Sequence, residues 1–168
     1  MITQAVGLSV GGLILTAGTL ALNIRGWLSR GKQLKETYPF LGALAVGVMW
    51  SACVGGWLGA GAGYAAGAAN GAGEKVMGVT GTGDGMIQRG DLAELTIGGG
   101  LATIVASLLF AVGLKAAGVP IKKRMVGGAF VGIALALTAG AAGLFGSTII
   151  PVTNALGDWA VDLAGGLE

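Results

Sequence analysis

Four long stretches without a charged side chain constrain this sequence more than any other feature. Each has at least the roughly 20 residues that an α-helix needs to cross about 30 Å of hydrocarbon. They cover residues 1–24, 37–73, 95–114 and 125–157. The sequence therefore predicts an all-α polytopic membrane protein with four transmembrane helices, centred near residues 5–24, 40–62, 95–114 and 126–149.

The composition supports lipid as the solvent of these stretches. Hydrophobic residues make up 54% of the 168 residues and charged residues 11%, whereas a water-soluble domain carries about a quarter charged residues. Disorder is excluded because it requires low hydrophobicity and high charge. Histidine is absent and Cys53 is the single cysteine, which removes histidine-based acid–base chemistry, histidine-ligated metals and an internal disulfide. We therefore predict no metal, no cofactor and no enzymatic activity, and we interpret Cys53 as a packing residue.

Basic residues set the predicted orientation. Eight of the ten positive side chains lie in two short segments, after the first and the third span: Arg25, Arg30, Lys32, Lys35, Lys115, Lys122, Lys123 and Arg124. The positive-inside rule places both segments in the cytoplasm. Both termini and the acidic segment 74–94 then lie outside. We expect the membrane to be a bacterial inner membrane. No basic segment precedes the first span, so we expect that span to be retained rather than cleaved.

This orientation divides the chain into two hairpins of like direction. Residues 1–73 form the first hairpin, with a helical extension, and residues 95–150 form the second, joined by the outer loop 74–94. The similar layout suggests an internal duplication, although any protein with an even number of spans and this charge bias looks the same.

In the tail 151–168, apolar residues from Val152 to Leu167 recur at helical spacing opposite Asp158 and Asp162, which predicts a short amphipathic helix.

Glycine is spaced to let helices approach closely. In the second span it occurs at every fourth position, and the fourth span repeats the pattern with one alanine. The residues are Gly55, Gly59, Gly63, Gly67, Gly71, Gly128, Gly132, Ala136 and Gly140. Helices in lipid associate by close van der Waals contact along such stripes. Either they pack the spans of one chain, or they join copies of the chain. We favour a homo-oligomer, because four small-residue faces exceed what one small bundle needs.

The two basic segments also have two interpretations. Their lysines and arginines can pair with anionic lipid headgroups at about 1 kcal/mol per charge. In an oligomer they would instead form a ring of positive charge that contacts nucleic-acid phosphates. No small-molecule substrate is evident, since the segment 81–85 is rich in glycine but lacks the spacing of a dinucleotide fingerprint.

The spans themselves contain no Asp, Glu, Lys or Arg near their centres. A chain of this size with four glycine-rich spans is similar to the duplicated proteolipid of rotary-ATPase rings. That family requires an ion-binding carboxylate within a span, and the absence of one excludes it here.

A second resemblance covers residues 95–149. Gly98, Gly99 and Gly100 open an apolar span to Leu114, the basic turn 122–124 follows, and residues 126–132 (VGGAFVG) lead a second span. This pattern resembles pilins of conjugative type IV secretion systems, although this chain has two hairpins where such pilins have one. The resemblance implies a basic turn that faces the cytoplasm before assembly and the lumen of an extracellular filament afterwards. It implies that Lys122, Lys123 and Arg124 line that lumen, where transferred nucleic acid would pass.

The sequence thus predicts a non-enzymatic, self-assembling membrane subunit, pilin-like and suited to a conjugation, DNA-transfer or secretion apparatus. One alternative is a phage holin-like pore former, which would collapse the membrane potential of a bacterial host. Another is a passive accessory or scaffold of a larger complex.

Overall fold

The computed structural model describes residues 8–29, 35, 37–53, 56–80, 85 and 92–165, and it is helical throughout these ranges apart from short connections. The six helices are α1 (Val10–Ser29), α2 (Tyr38–Ala52), α3 (Gly56–Thr80), α4 (Ile97–Ala116), α5 (Val119–Ala136) and α6 (Ala139–Gly165). The predicted all-α class is confirmed for the described residues.

Three helix pairs carry most of the packing: α2 with α5, α4 with α6, and α1 with α3. α2 and α5 run in the same direction, because Phe40 meets Gly128 and Leu44 meets Gly132. α4 and α6 meet at the start of α4, where Thr96 contacts Asp158. α1 also lies against α5, so the pair α2 and α5 stands between α1 and the pair formed by α4 and α6.

Two clusters of small and branched side chains form the core. One joins Leu8 to alanines of α3 and to the end of α5 at Ile133 and Leu137. The other lies where Val48 of α2, Ala136 of α5 and Ile150 of α6 meet. Alanines dominate both clusters, so the helix axes must approach closely to exclude voids.

The predicted second span, 40–62, is not one continuous helix. α2 ends at Ala52, Cys53 has an extended backbone, and α3 begins at Gly56 with a positive φ of 69°. The axes of α2 and α3 differ by 108°. The physical reason lies in the glycine content, because the left-handed conformation at residue 56 costs glycine little and would strain any residue with a Cβ.

The predicted fourth span, 126–149, is also interrupted. α5 ends at Ala136, and the N–H groups of Leu137 and Thr138 donate to carbonyls only three residues back. The Thr138 hydroxyl also donates a hydrogen bond to the Leu135 carbonyl, at 2.8 Å. These local bonds replace the α-helical pattern and close α5.

The described part of the predicted tail, residues 151–165, does not form a separate helix. α6 is continuous from Ala139 to Gly165 and contains Pro151 in its interior. The missing proline N–H removes one helical bond, but Ile150 and Thr153 on either side are buried against neighbouring helices. Tertiary packing therefore offsets the local cost of the proline.

The basic segment after the third span is helical rather than a loop. Only Ala117 and Gly118 separate α4 from α5, and Pro120 stands in the first turn of α5, where its missing N–H costs nothing. Lys122, Lys123 and Arg124 consequently lie on α5. The outer loop is also shorter than predicted, because α3 continues to Thr80.

One helix among the described residues, α4, is by itself long and apolar enough to cross a membrane. The bent pair of α2 and α3 passes the same criterion when taken together. α4 is poorly covered within the chain: its apolar side chains at 101, 104, 105, 108, 109 and 112 are each 50–68% exposed. Its buried residues are Gly98, Gly99 and Thr103.

Candidate functional site

The predicted helix-packing residues fall into two groups, and the first is used within the chain. A Cβ on Gly128 would meet the Phe40 carbonyl, and one on Gly132 would meet the Leu44 carbonyl, both closer than atoms can approach. Gly47 of α2 faces the Ala129 carbonyl in the same way. Gly128 and Gly132 of α5 therefore form the surface on which α2 packs, with backbone against backbone. Ala136 continues it and is buried.

Two further glycine contacts join the other helix pairs. Gly11 of α1 meets Gly73 of α3, and Gly98 of α4 meets Gly157 of α6, each with backbone against backbone. Spacing of four residues also relates Gly11 to Gly7 and Gly98 to Ala102, whereas Gly157 belongs to no such stripe. The polar neighbours Asn70 and Asn154 were the available signal, since an amide in an apolar run needs a partner nearby.

In the second group, three glycines have no neighbour among the residues that the structure describes. A Cβ on Gly67, Gly71 or Gly140 would meet no atom within 4 Å. Gly59 packs on the Cys53 carbonyl at the bend, and Gly63 is half-buried. Gly55 lies outside the described residues.

Gly67 and Gly71 belong to a surface that we name the α3 outer face. It comprises Trp57, Gly61, Tyr64, Gly67, Ala68 and Gly71. The spacing of three and four residues places these on one side of the helix, opposite the buried Ala62, Ala66 and Ala69. Trp57 is 96% exposed and Tyr64 80% exposed. The α3 outer face thus presents two large aromatic rings around a flat glycine surface.

The predicted basic residues that the structure describes gather where three helices begin or end. Thr19 and Asn23 of α1 lie against Gly127 of α5, and Lys123 and Arg124 line a groove shared with Gly26. Arg25 of α1 is on this same end, and Lys35 lies shortly before α2 begins. Two segments about ninety residues apart in sequence are therefore adjacent in space. Arg30 and Lys32 lie outside the described residues.

The position of these cations on α5 is not one that stabilises the helix. Lys122, Lys123 and Arg124 occupy its second turn, near the end where the helix dipole is positive and cations are unfavourable. The helix end and the side chains together produce a strongly positive surface. Lys115, by contrast, is in the last turn of α4, where a cation is favourable.

Polar and acidic groups fix the opposite end of α4. The Thr96 hydroxyl caps α4 by accepting from the Gly99 N–H at 3.0 Å and donates to Asp158 at 2.8 Å. Asn154 accepts from the Thr96 N–H and donates to the Glu94 carbonyl, each at 3.0 Å. A helix of 20 residues is about 30 Å long. α4 therefore separates this acidic end from Lys115 by about the thickness of a hydrocarbon core.

Part of the apolar side of α6 faces outward. Asn154 bonds to the start of α4, whereas Val152, Leu156 and Trp159 are about 60% exposed. These side chains and Leu101 and Val105 of α4 line an open apolar groove of about 830 Å³. In water, exposing this surface would be costly.

Hydroxyl groups within the helices are satisfied locally. Thr16, Thr103 and Thr153 each donate to the carbonyl four residues earlier at 2.8 Å. Trp50 donates to the Ser107 hydroxyl across α2 and α4 at 2.8 Å. Such pairing suits a medium without water, where every polar group must find a partner in the protein.

No cluster of three or more potential metal ligands occurs among residues 8–29, 37–53, 56–80 and 92–165. Comparison with known proteins adds no assignment. No family model, curated protein or solved structure matches this chain.

Proposed function

We propose that this chain is a non-enzymatic integral membrane subunit that crosses a bacterial inner membrane four times and assembles with copies of itself. In this proposal α1, the bent pair α2 and α3, α4, and the pair α5 and α6 are the crossings. Both termini are outside. Broken helices are tolerated at membrane depth when protein covers the break, and Ala52 and Leu137 at the two breaks are buried.

The charge distribution supports this orientation. Arg25, Lys123 and Lys115 all lie at helix ends on one side, whereas Glu94 and Asp158 adjoin the far end of α4. A reporter that is active only in the cytoplasm should be active when it is fused after residue 33 and inactive when it is fused after Gly85. The reverse pattern, or activity at both sites, would contradict the proposed topology.

Self-assembly rests on a single observation, the α3 outer face. Each glycine in a helix costs about 1 kcal/mol relative to alanine. Gly128 and Gly132 offset that cost through contacts inside the chain, but Gly67 and Gly71 have no such contact. A bare backbone stripe flanked by exposed aromatic rings is the surface on which the same helix of a second copy can pack closely. The α3 outer face is therefore assigned to the contact between copies.

The experiment replaces Gly67 and Gly71 together by leucine. The wild-type protein in mild detergent should be an oligomer by light scattering, and the double variant should be smaller by at least half. Because both positions are open within the chain, the variant should still fold to the same helical structure. Gly18→Leu is the matched control, since Gly18 is also exposed and without a neighbour, on α1. An unchanged oligomer in the double variant, or a wild-type monomer at all concentrations, would refute the proposal.

The pilin resemblance suggests a conjugation or secretion apparatus as the setting of this assembly. Such an assembly would be a regular ring or filament with the α5 cations on its inner surface. Electron micrographs of the purified oligomer test the symmetry directly. A disordered aggregate without repeating contacts would remove the pilin-like setting and leave a passive scaffold.

A further inference from the structure

One hydroxyl group departs from the local pairing of the others. The Thr37 oxygen is the one buried side-chain polar atom in the described part of the chain that lacks a hydrogen-bond partner. Leaving a buried hydroxyl unpaired is unfavourable. Thr16 and Thr103 avoid this by donating to the preceding turn. Thr37 is the N-cap of α2, and its side chain makes no capping bond.

Thr37 lines a pocket of about 220 Å³ between α1, the start of α2 and the start of α5. Arg124 lines the same pocket, as do Leu20, Ile24 and Leu41. Ile24 and Leu41 are about half exposed, so the apolar wall continues onto the outer surface of the chain. The pocket therefore combines a guanidinium group and an unpaired hydroxyl with an apolar wall.

The electrostatics around this pocket favour an anion. The first N–H groups of α2 have no partners within the helix and carry the positive end of its dipole. Lys123 lines the adjoining groove with Arg124, and Arg25 is one residue beyond Ile24 on α1. Among the residues that the structure describes, no acidic side chain lines either cavity.

We propose that this pocket binds the phosphate of an anionic phospholipid. Arg124 and the Thr37 hydroxyl donate to the phosphate oxygens, and an acyl chain lies along Leu20, Ile24 and Leu41. The inference rests on the proposed membrane location, since the pocket is at the basic end, which would face the leaflet rich in anionic lipid. A free phosphate ion would satisfy the donors but leave the apolar wall uncovered, so the lipid is the ligand that fits both halves.

The test measures thermal unfolding of the full-length protein in detergent with added phosphatidylglycerol, or with phosphatidylcholine of the same chains. We expect phosphatidylglycerol to raise the unfolding temperature and phosphatidylcholine to have a much smaller effect. Inorganic phosphate and a single-stranded DNA oligonucleotide are added separately. If either one matches the effect of phosphatidylglycerol, the assignment to a lipid is overturned.

Two variants locate the site. Thr37→Val keeps the shape and removes the hydroxyl, and Arg124→Gln removes the charge. Each should weaken phosphatidylglycerol binding at least about tenfold, as loss of a hydrogen bond to a charged group does. Thr148→Val and Lys115→Gln are the matched controls outside the pocket and should bind normally. Equal binding by Thr37→Val and Thr148→Val, or by Arg124→Gln and Lys115→Gln, would overturn the site.

The sign of one further measurement separates a ligand site from a structural role. Without anionic lipid, Thr37→Val should be as stable as the wild type or more stable, because it removes an unpaired buried hydroxyl. A large loss of stability in phosphatidylcholine alone would show that Thr37 acts within the fold and would overturn the assignment. The oligomer size of the same samples is recorded, so loss of lipid selectivity with an intact oligomer refutes this site alone.

Discussion

Leu108→Lys is expected to prevent stable membrane insertion of α4. Leu108 lies near the middle of α4 and is 62% exposed, so in the proposed setting it contacts lipid. Replacing leucine by lysine at the centre of a transmembrane helix costs about 3 kcal/mol on insertion scales, which shifts the inserted fraction more than a hundredfold. The measurement is the fraction of protein that remains in the membrane pellet after alkaline extraction.

Two controls distinguish lipid contact from a general effect of the substitution. Leu108→Ala removes apolar area without adding charge and should stay in the membrane. Val119→Lys introduces the same charge at a residue that is 65% exposed but lies at the basic end, where an extra cation is tolerated. If Leu108→Lys were to fold and remain soluble in buffer, its environment would be water and the proposed membrane location would be wrong.

The sequence predicted the helical secondary structure well, because secondary structure here follows from local information. A run of apolar residues free of charge specifies a helix whatever its neighbours are, and α4 at Ile97–Ala116 lies within two residues of the predicted span 95–114. The breaks inside the predicted spans 40–62 and 126–149 were not predicted. At the first break, glycine permits both a helix and the left-handed conformation found at Gly56. At the second, hydrogen bonds over three residues at Leu137 and Thr138 end α5 without a glycine.

The candidate site was predictable as a set of residue types but not as a set of contacts. Glycine spacing identified Gly132 and Gly67 equally, yet one lies against the Leu44 backbone and the other has no neighbour. Sequence spacing gives the face of a helix and cannot give what lies opposite. Thr37 was missed for a similar reason, because an unpaired hydroxyl is defined by the absence of a contact.

A Gly132→Leu variant would not test assembly, because Gly132 packs inside the chain. Leucine at residue 132 would collide with α2 inside the chain, so loss of an oligomer would only report loss of the fold. Substitutions at Gly67 and Gly71 alter a surface that is open in the single chain. The two kinds of glycine therefore need separate measurements, one of stability and one of size.

Stability is tested most sharply by Gly132→Ala, for which we expect a loss of about 3 kcal/mol or more. The added Cβ would lie far inside van der Waals distance of the Leu44 carbonyl oxygen. α2 and α5 must therefore separate along their contact, an effect at or above the usual range for overpacking. Helix propensity acts in the opposite direction, since alanine is favoured over glycine by about 1 kcal/mol. A decrease in the unfolding temperature would therefore show that the clash exceeds the gain in propensity.

Gly18→Ala is the matched control because Gly18 is interior to α1 and has open space around it. It should leave the unfolding temperature unchanged or raise it, so the same chemical change is expected to have opposite signs at the two positions. The double variant with Gly128→Ala and Gly132→Ala should lose less stability than the sum of the single losses, because helices already separated by one Cβ make room for the second. Strict additivity, or a stabilised Gly132→Ala protein, would show that α2 and α5 are not in backbone contact.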